Sequence, residues 1–148
     1  MNYFDTSALI KRFTSEKGTP LVQKLLISGQ TPATATITYA EVYGALARKN
    51  REKQVTAAQY HLACLQFEED WNVYVRVELR ENVLRTARRL IQKHPLRGFD
   101  AIHLASALTL KADLGEEIVF VAADDRLLHA AKSEALPVVN PEKDSKAF

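Results

Sequence analysis

Residues 97–108 read RGFDAIHLASAL and predict a helix at the centre of the fold. Apolar side chains lie nearly all around this segment, a pattern typical of a helix enclosed by a protein core. Asp100, His103 and Ser106 interrupt the pattern at i, i+3 spacing, which places them on one face of the helix. A carboxylate on such a helix is costly unless something pairs with it. Asp100 is therefore either a cap near the start of the helix or a group directed at a metal ion, and the pattern alone leaves both open.

Outward from this helix, strand-like runs alternate with amphipathic helical segments. The predicted strands cover 2–4, 34–37, 73–77, 117–121 and 136–139. Strands that alternate with helices indicate an α/β fold with a mainly parallel sheet. No shift in composition marks a second domain, so we expect one domain over residues 1–148, with a polar and loose tail over about 141–148.

The composition excludes several classes of protein. Of the 148 residues, 47% are hydrophobic and 26% are charged, which is typical of a globular domain and not of a disordered chain. The formal net charge of +2 is too small to indicate nucleic-acid binding by itself. The single cysteine, Cys64, rules out an internal disulfide and suits a reducing cytoplasm. We also expect neither a signal peptide nor a membrane span.

The helix predicted over 55–71 carries two apolar stripes on opposite sides. The first stripe contains Val55, Ala58, Leu62 and Leu65, and the second contains Tyr60, Cys64, Phe67 and Trp71. One stripe can pack on the core. We hypothesise that the other meets a partner surface, either elsewhere in the fold or on another chain.

Four acids occupy similar places in the predicted fold. Asp5 and Asp124 lie where a strand gives way to a helix, Glu41 lies in the first turn of a helix, and Asp100 begins the central helix. Ligands of open α/β sheets bind beyond the carboxyl ends of the strands, so these acids are expected to converge there. Helix capping is the alternative for each, because Asp5 and Asp124 suit N-caps and Thr38 with Glu41 forms a capping-box pattern.

Convergence of four carboxylates would predict a metal site. Neighbouring carboxylates repel one another, and a divalent cation offsets that repulsion. Ligands that are all oxygen favour Mg²⁺ or Mn²⁺ over zinc or copper. Such an ion can activate water and neutralise the charge that develops on a phosphodiester, so the expected chemistry is phosphodiester hydrolysis.

Four segments together resemble a known family. They are DTSAL at 5–9, YAEV around Glu41, the central stretch at 97–108, and FVAADDRLLHAA at 120–131. In this order they are similar to the PIN-domain ribonucleases, and in particular to the VapC toxins of type II toxin–antitoxin modules. The resemblance covers essentially the whole chain. It implies a three-layer α/β/α PIN-like domain with a short, mainly parallel central sheet, and metal-dependent cleavage of RNA.

The resemblance also implies roles for individual residues. The catalytic acids would be Asp5, Glu41, Asp100 and Asp124, and the metal ligands would be Asp5, Asp100 and Asp124. The cofactor would be Mg²⁺, for which Mn²⁺ is expected to substitute. Ser7 would support the first acid. The implied partners are the RNA substrate, a cognate antitoxin that covers the site, and a second copy of the chain in a homodimer.

Three further positions extend this interpretation. Asp125 is expected to support or replace Asp124. Ala122 stands where the family often has a serine or threonine, which puts one supporting hydrogen bond in doubt. For this reason an RNA-binding or regulatory PIN-like protein with a degenerate, non-cleaving site is the alternative function. For His103 we expect a hydrogen-bonded place in the core in preference to a proton-transfer role.

Overall fold

A computed structural model describes residues 1–144, and its centre is a sheet of five parallel strands in the order β3-β2-β1-β4-β5. The strands are β1 (Asn2–Phe4), β2 (Ala33–Ala35), β3 (Val75–Val77), β4 (Val119–Val121) and β5 (Val138–Val139). All described pairings are parallel. This confirms the predicted sheet, and it places the carboxyl ends of β1 and β4 side by side.

Within residues 1–144, seven α-helices connect and cover the strands. They are α1 (Thr6–Leu9), α2 (Thr19–Leu26), α3 (Thr38–Arg51), α4 (Ala57–Trp71), α5 (Glu81–Lys93), α6 (Gly98–Leu114) and α7 (Asp125–Ser133), with a 3₁₀ turn over Ile10–Arg12. Side chains of successive strand residues point to opposite faces. Tyr3 accordingly joins one core cluster with α5, α6 and α7, whereas Phe4 joins a second cluster with α1 to α4. The predicted three-layer α/β/α architecture is therefore confirmed.

Helix α6 is the most enclosed helix of the fold, as its sequence predicts. Its buried positions surround the helix and include His103 and Ser106 as well as the apolar residues. It packs along α5 and against β2 and β3. The helix ends at Gly115, whose φ of 66° lies in the left-handed region that glycine adopts without strain. Asp100 is thus held on a rigid element near the edge of the sheet.

The structure shows which of the two apolar stripes of helix α4 packs on the core. Thr56 caps the helix, which begins at Ala57 and not at residue 55. Phe67 is fully buried, and the other members of its stripe pack partly against the same cluster. The stripe that faces outward is the other one, with Leu62 54% and Leu65 52% exposed. The second stripe therefore stabilises the fold, and only the first remains available to a partner.

Residues 141–144, the first half of the predicted polar tail, include a contact to Lys11 of the domain; that the tail is loose stays a prediction. Lys11 is almost completely buried, and a buried ammonium group needs counter-charges. Its Nζ lies 2.7 Å from Glu142 and 3.2 Å from Glu16. The rest of the predicted tail, 145–148, lies outside the described residues. Among residues 1–144, no helix has the length and apolar character needed to cross a membrane.

Candidate active site

Asp5 and Asp124 lie just beyond the carboxyl ends of β1 and β4, which are neighbouring strands, so both acids lie at the same end of the sheet. The backbone N–H of Asp5 donates to the carbonyl of Val121 at 3.1 Å, which joins the two strand ends. Each acid also caps the helix that follows it, because Asp5 accepts from the N–H of Ala8 at 3.0 Å and Asp124 from that of Leu127 at 3.1 Å. The capping alternative is confirmed for both residues, and it fixes two carboxylates at the same edge.

Ser7 ties these two strand ends together. Its hydroxyl contacts both carboxylate oxygens of Asp5, at 2.7 and 2.9 Å. Its Oγ also accepts the backbone N–H of Ala123 at 3.0 Å. A hydroxyl has one proton and two lone pairs, so it can serve both neighbours at once. Ser7 therefore orients Asp5 relative to the loop that carries Asp124.

Glu41 is held by two side chains, and the capping-box alternative for it is wrong. Ile37 occupies the cap position of α3, and the hydroxyl of Thr38 pairs with Thr34 at 2.8 Å. The carboxylate of Glu41 instead accepts from Thr6 Oγ1 at 2.6 Å and lies 2.7 Å from His103 Nε2. Glu41 is thereby joined to α1 and α6 through its side chain.

His103 is buried and hydrogen-bonded, as expected from its place on α6. Its side chain is 2% exposed, and its Nδ1 lies 2.9 Å from the hydroxyl of Tyr3. Sequence reasoning missed the parts that Tyr3 and Thr6 play here. Both flank Asp5 along the chain, but only the tertiary fold brings residues about a hundred positions apart into contact.

Asp100 is not the cap of α6. Arg97 occupies the cap position, and Asp100 is the third residue of the helix. Burial raises the pKa of Asp100, and the nearby charges of Asp124 and Glu41 raise it further, against the opposing charges of His103 and Arg97. Within residues 1–144, no hydrogen bond is found to the carboxylate of Asp100. The charges of two other acids thus act on Asp100, and no hydrogen-bond donor among the described residues fixes its carboxylate.

The pKa values of Asp5 and Glu41 shift in opposite directions. Burial raises the pKa of Asp5 from 3.8 to about 6, against the charge of His103 and the hydrogen bonds from Ser7 and Ala8. Burial also disfavours ionisation of Glu41. The hydrogen bond and charge of His103 outweigh that effect and, with Thr6, lower the pKa of Glu41. The site therefore combines a carboxylate fixed in its ionised form with one that gains a proton readily.

A groove of about 430 Å³ opens beside these acids. Glu41 and Asp100 line it together with Arg97, Phe99 and Ile102. The ring of Phe99 is largely exposed there, next to an exposed arginine. A ligand in this groove would meet the carboxylates of Glu41 on α3 and Asp100 on α6, together with a guanidinium group and an aromatic face at the start of α6.

The fold and this edge of the sheet can now be compared with known proteins. The model of the PIN domain family matches residues 3–133. The chain belongs to the PIN-domain family. Two relatives come from Mycobacterium tuberculosis. Ribonuclease VapC49 of strain ATCC 25618 / H37Rv is 36% identical over 133 residues, which is 90% of each chain. Ribonuclease VapC47 of strain CDC 1551 / Oshkosh is 32% identical over 145 residues, covering 95% of this chain and 97% of the other.

Solved structures confirm the PIN fold. A toxin–antitoxin complex from Klebsiella pneumoniae contains a chain that superposes with a TM-score of 0.68 at 19% identity, over 95% of this chain and 98% of that chain. FitAcB from Neisseria gonorrhoeae superposes with a TM-score of 0.67 at 15% identity, over 97% and 99%. The family resemblance predicted from the sequence is therefore confirmed for family and fold.

The donor atoms of this PIN domain fit a hard divalent cation. Asp5, Glu41, Asp100 and Asp124 supply oxygen only. The charges of Asp124 and Glu41 raise the pKa of Asp100, and the charge of Asp100 raises the pKa of Asp5. A cation among them would replace mutual repulsion by attraction. The side chains are not drawn into a tight cluster, because residues 1–144 contain no group of three or more His, Cys, Asp or Glu side chains close enough to hold a metal ion. The acids thus suit a divalent cation by the chemistry of their oxygen atoms, but they are not preassembled into a metal-binding cluster.

The two positions that follow β4 in this PIN domain differ in their surroundings. The carboxylate of Asp125 contacts Lys143 at 2.5 Å and Asn140 at 3.2 Å, both near the C-terminal segment. Ala122 is completely buried within the core. A hydroxyl is absent at position 122, but the N–H of Ala123 still links this loop to Ser7. The supporting role of Asp125 stays a prediction.

Proposed function

We propose that this chain is the toxin of a toxin–antitoxin pair, a metal-dependent endoribonuclease that hydrolyses RNA phosphodiester bonds. Two kinds of comparison support the proposal. The relatives at 32–36% identity are named ribonucleases VapC and align over at least nine-tenths of this chain. One structural neighbour at full length is a toxin–antitoxin complex. We place its action in the cytoplasm, on RNA.

The observation that carries the proposal is the electrostatic coupling of acids that are distant in the sequence. The charges of Asp124 and Glu41 both raise the pKa of Asp100, although the three residues lie on different elements. Such coupling is costly in a purely structural site, and perturbed carboxyl groups in a groove are typical of catalytic centres. A cation held there turns this repulsion into binding energy.

In the proposed mechanism, Asp5, Asp100 and Asp124 would hold Mg²⁺, or Mn²⁺ in its place. The ion, when bound, would supply an activated water and neutralise charge on the phosphodiester. Glu41, kept ionised by its hydrogen bonds, is the fourth catalytic acid and accepts a hydrogen bond from the attacking water. Ser7 fixes the orientation of Asp5.

Protein partners form part of the proposal. A cognate antitoxin would cover the acids, and a second copy of the chain would form a homodimer. Leu62 and Leu65 give α4 an exposed apolar stripe that suits a protein partner. Asp125 keeps a supporting role beside Asp124 in this proposal.

The first test is a calorimetric titration of Mn²⁺ into the purified chain. We compare the parent with Asp5→Asn and Asp100→Asn. Asp113→Asn is the matched control, because Asp113 is an exposed acid on the same helix as Asp100. We expect binding that weakens at least tenfold in the first two variants and is unchanged in the control. Equal binding in all four proteins would mean that the acids do not share a site.

The second test is cleavage of RNA by the same four proteins, each checked for folding by circular dichroism. Loss of cleavage in Asp5→Asn and Asp100→Asn, with full activity in Asp113→Asn, is the expected result. RNA binding without any cleavage at millimolar Mg²⁺ or Mn²⁺ would favour the alternative function, a PIN-like protein with a non-cleaving site.

A further inference from the structure

We propose that Tyr3 and His103 are positioning residues for Glu41: Tyr3 fixes the tautomer of the His103 ring, and the ring then directs one carboxylate oxygen of Glu41 into the groove. The tautomer and the hydrogen bonds are properties of the folded chain alone. Only their consequence for RNA cleavage rests on the proposed function.

The nitrogen Nε2 of His103 carries a proton. An ionised carboxylate can only accept hydrogen bonds, and Glu41 Oε1 lies 2.7 Å from this nitrogen. The nitrogen must therefore carry a proton and donate it to Glu41. Thr6 donates to the same oxygen at 2.6 Å. The low pKa of Glu41 agrees with two donors on a charged acceptor.

The other ring nitrogen of His103, Nδ1, accepts a hydrogen bond from Tyr3. His103 acts on the pKa values of the nearby acids through a positive charge only when both ring nitrogens carry a proton. In the neutral ring that the proposal requires at neutral pH, Nε2 carries the proton and Nδ1 is a bare acceptor. The Tyr3 hydroxyl lies 2.9 Å away and is completely buried, so it donates to Nδ1. Burial raises the pKa of Tyr3, which keeps this hydroxyl protonated. Tyr3 thereby favours the tautomer that Glu41 requires.

The side chain of Tyr3 is held rigidly by its neighbours. The ring of Tyr3 stacks on Phe120 with centroids 5.5 Å apart and an interplanar angle of 9°. Tyr3 and Phe120 are register partners on β1 and β4, the two strands that lead to Asp5 and Asp124. The tyrosine hydroxyl is therefore fixed to the same framework as those acids. An outer hydrogen bond of this kind orients the inner group, and its loss typically costs about 10–100-fold in activity or affinity.

The second carboxylate oxygen of Glu41, Oε2, faces the groove without a hydrogen-bond partner among the described residues. Both donors contact Oε1, and within residues 1–144 no hydrogen bond reaches Oε2. Glu41 lines the groove with about 29% of its side chain exposed. The two donors thus hold one oxygen inward and leave the other for a ligand or an attacking water.

The test of the tautomer is nitrogen NMR of protein labelled with ¹⁵N in histidine, at neutral pH and without added metal or RNA. His103→Gln assigns the His103 signals by their loss. We expect a protonated Nε2 and an unprotonated Nδ1. A proton on Nδ1, a doubly protonated ring, or signals averaged between tautomers would each overturn the proposal.

The test of Tyr3 is the rate at which the Nε2 proton exchanges with solvent. Tyr3→Phe removes only the hydroxyl group, and we expect exchange to be at least tenfold faster. Tyr74→Phe is the matched control, because Tyr74 is also buried and bonds its hydroxyl to a side chain, Asp70 at 3.3 Å. We expect exchange in this variant to stay within twofold of the parent. Equal acceleration in both variants would overturn the role of Tyr3.

The test of function compares two replacements of His103. Glutamine can retain a donor near Nε2 and so reach Glu41, whereas asparagine retains a polar group near Nδ1 and so reaches Tyr3. We expect His103→Asn to lower kcat for RNA cleavage about 10–100-fold with KM nearly unchanged, and His103→Gln to restore most of kcat. Equal losses in the two variants would overturn the positioning role. A parent that cleaves no RNA would instead count against the proposed function, and the NMR results would still decide the tautomer.

Discussion

Replacing Asp5 by asparagine is expected to stabilise the fold at neutral pH while removing the proposed metal site. Folding raises the pKa of Asp5 from 3.8 to about 6 because the carboxyl is buried. A group whose pKa is raised by folding favours the folded state fully below its ordinary pKa, and this contribution is lost as the pH rises through the folded value. The unfolding free energy of the parent should therefore fall between pH 4 and pH 7.

The size of this effect follows from the two pKa values. The difference between 3.8 and about 6 corresponds to about 3 kcal/mol. Asparagine has the shape of aspartate, and its amide can serve the hydroxyl of Ser7 and the N–H of Ala8 that now contact the carboxylate. We therefore expect Asp5→Asn to exceed the parent by about 1–3 kcal/mol at pH 7.5.

The assay is urea denaturation in EDTA at pH values from 4.5 to 7.5, followed by circular dichroism. Asp113→Asn replaces an exposed acid and should follow the parent within about 0.5 kcal/mol. Addition of Mn²⁺ at a hundred times its dissociation constant should restore about 2.7 kcal/mol to the parent and little to Asp5→Asn. A parent whose stability does not change with pH, or an asparagine variant less stable than the parent at pH 7.5, would refute the reasoning.

Three further predictions concern other parts of the chain. Glu134→Gln should cost about 1–3 kcal/mol of unfolding free energy at pH 7. Against the effect of burial, hydrogen bonds from Lys93, His94 and Arg89, together with the charge of Arg89, lower the pKa of that carboxyl to about 2. The parent should therefore lose the same stability as the pH falls from about 4.5 to 2, as denaturation at each pH would measure. Ser7→Ala should weaken Mn²⁺ binding about 10–100-fold by calorimetry, whereas Thr34→Val, which removes a buried hydroxyl that touches none of the four acids, should leave it unchanged. Gly18→Ala should lower the thermal midpoint more than Gly29→Ala does. Both glycines have positive φ, but a Cβ at position 18 would lie 3.1 Å from a backbone carbonyl of the C-terminal segment, and one at position 29 would meet nothing within 4 Å.

The sequence predicted the parallel α/β sheet and the place of Asp5 and Asp124 beyond its strand ends because both follow from local patterns, whereas the three layers were implied by the family resemblance. Short apolar runs between amphipathic helices can form only a few α/β arrangements. Asp5 and Asp124 each directly follow such a run or lie a few residues beyond it, so their place at the edge of the sheet needs no knowledge of the tertiary structure.

The contacts that complete the site could not be predicted in the same way. The pattern of Thr38 and Glu41 is that of a capping box, yet Thr38 bonds to Thr34 in the preceding strand, and Glu41 bonds to Thr6, a distant partner that local spacing cannot show. The pairing of Tyr3 with His103 joins residues a hundred positions apart. The two stripes of α4 were nearly equal in apolar character, so the choice of the buried one depended on which stripe faced Phe13 across the core.

The strand order also determines when the site can exist during synthesis. Strand β1 is synthesised first but lies between β2 and β4 in the sheet. Its neighbour β4 is translated more than a hundred residues later, so the sheet around Asp5 is incomplete until then. A nascent chain that has not yet emerged past Asp124 lacks one of the four acids and has half of its central strand unpaired. Under the proposed function, ribosome-bound and prematurely terminated products would be inert, and the activity would begin only when nearly the whole chain has been released. An antitoxin would then have to capture complete molecules only.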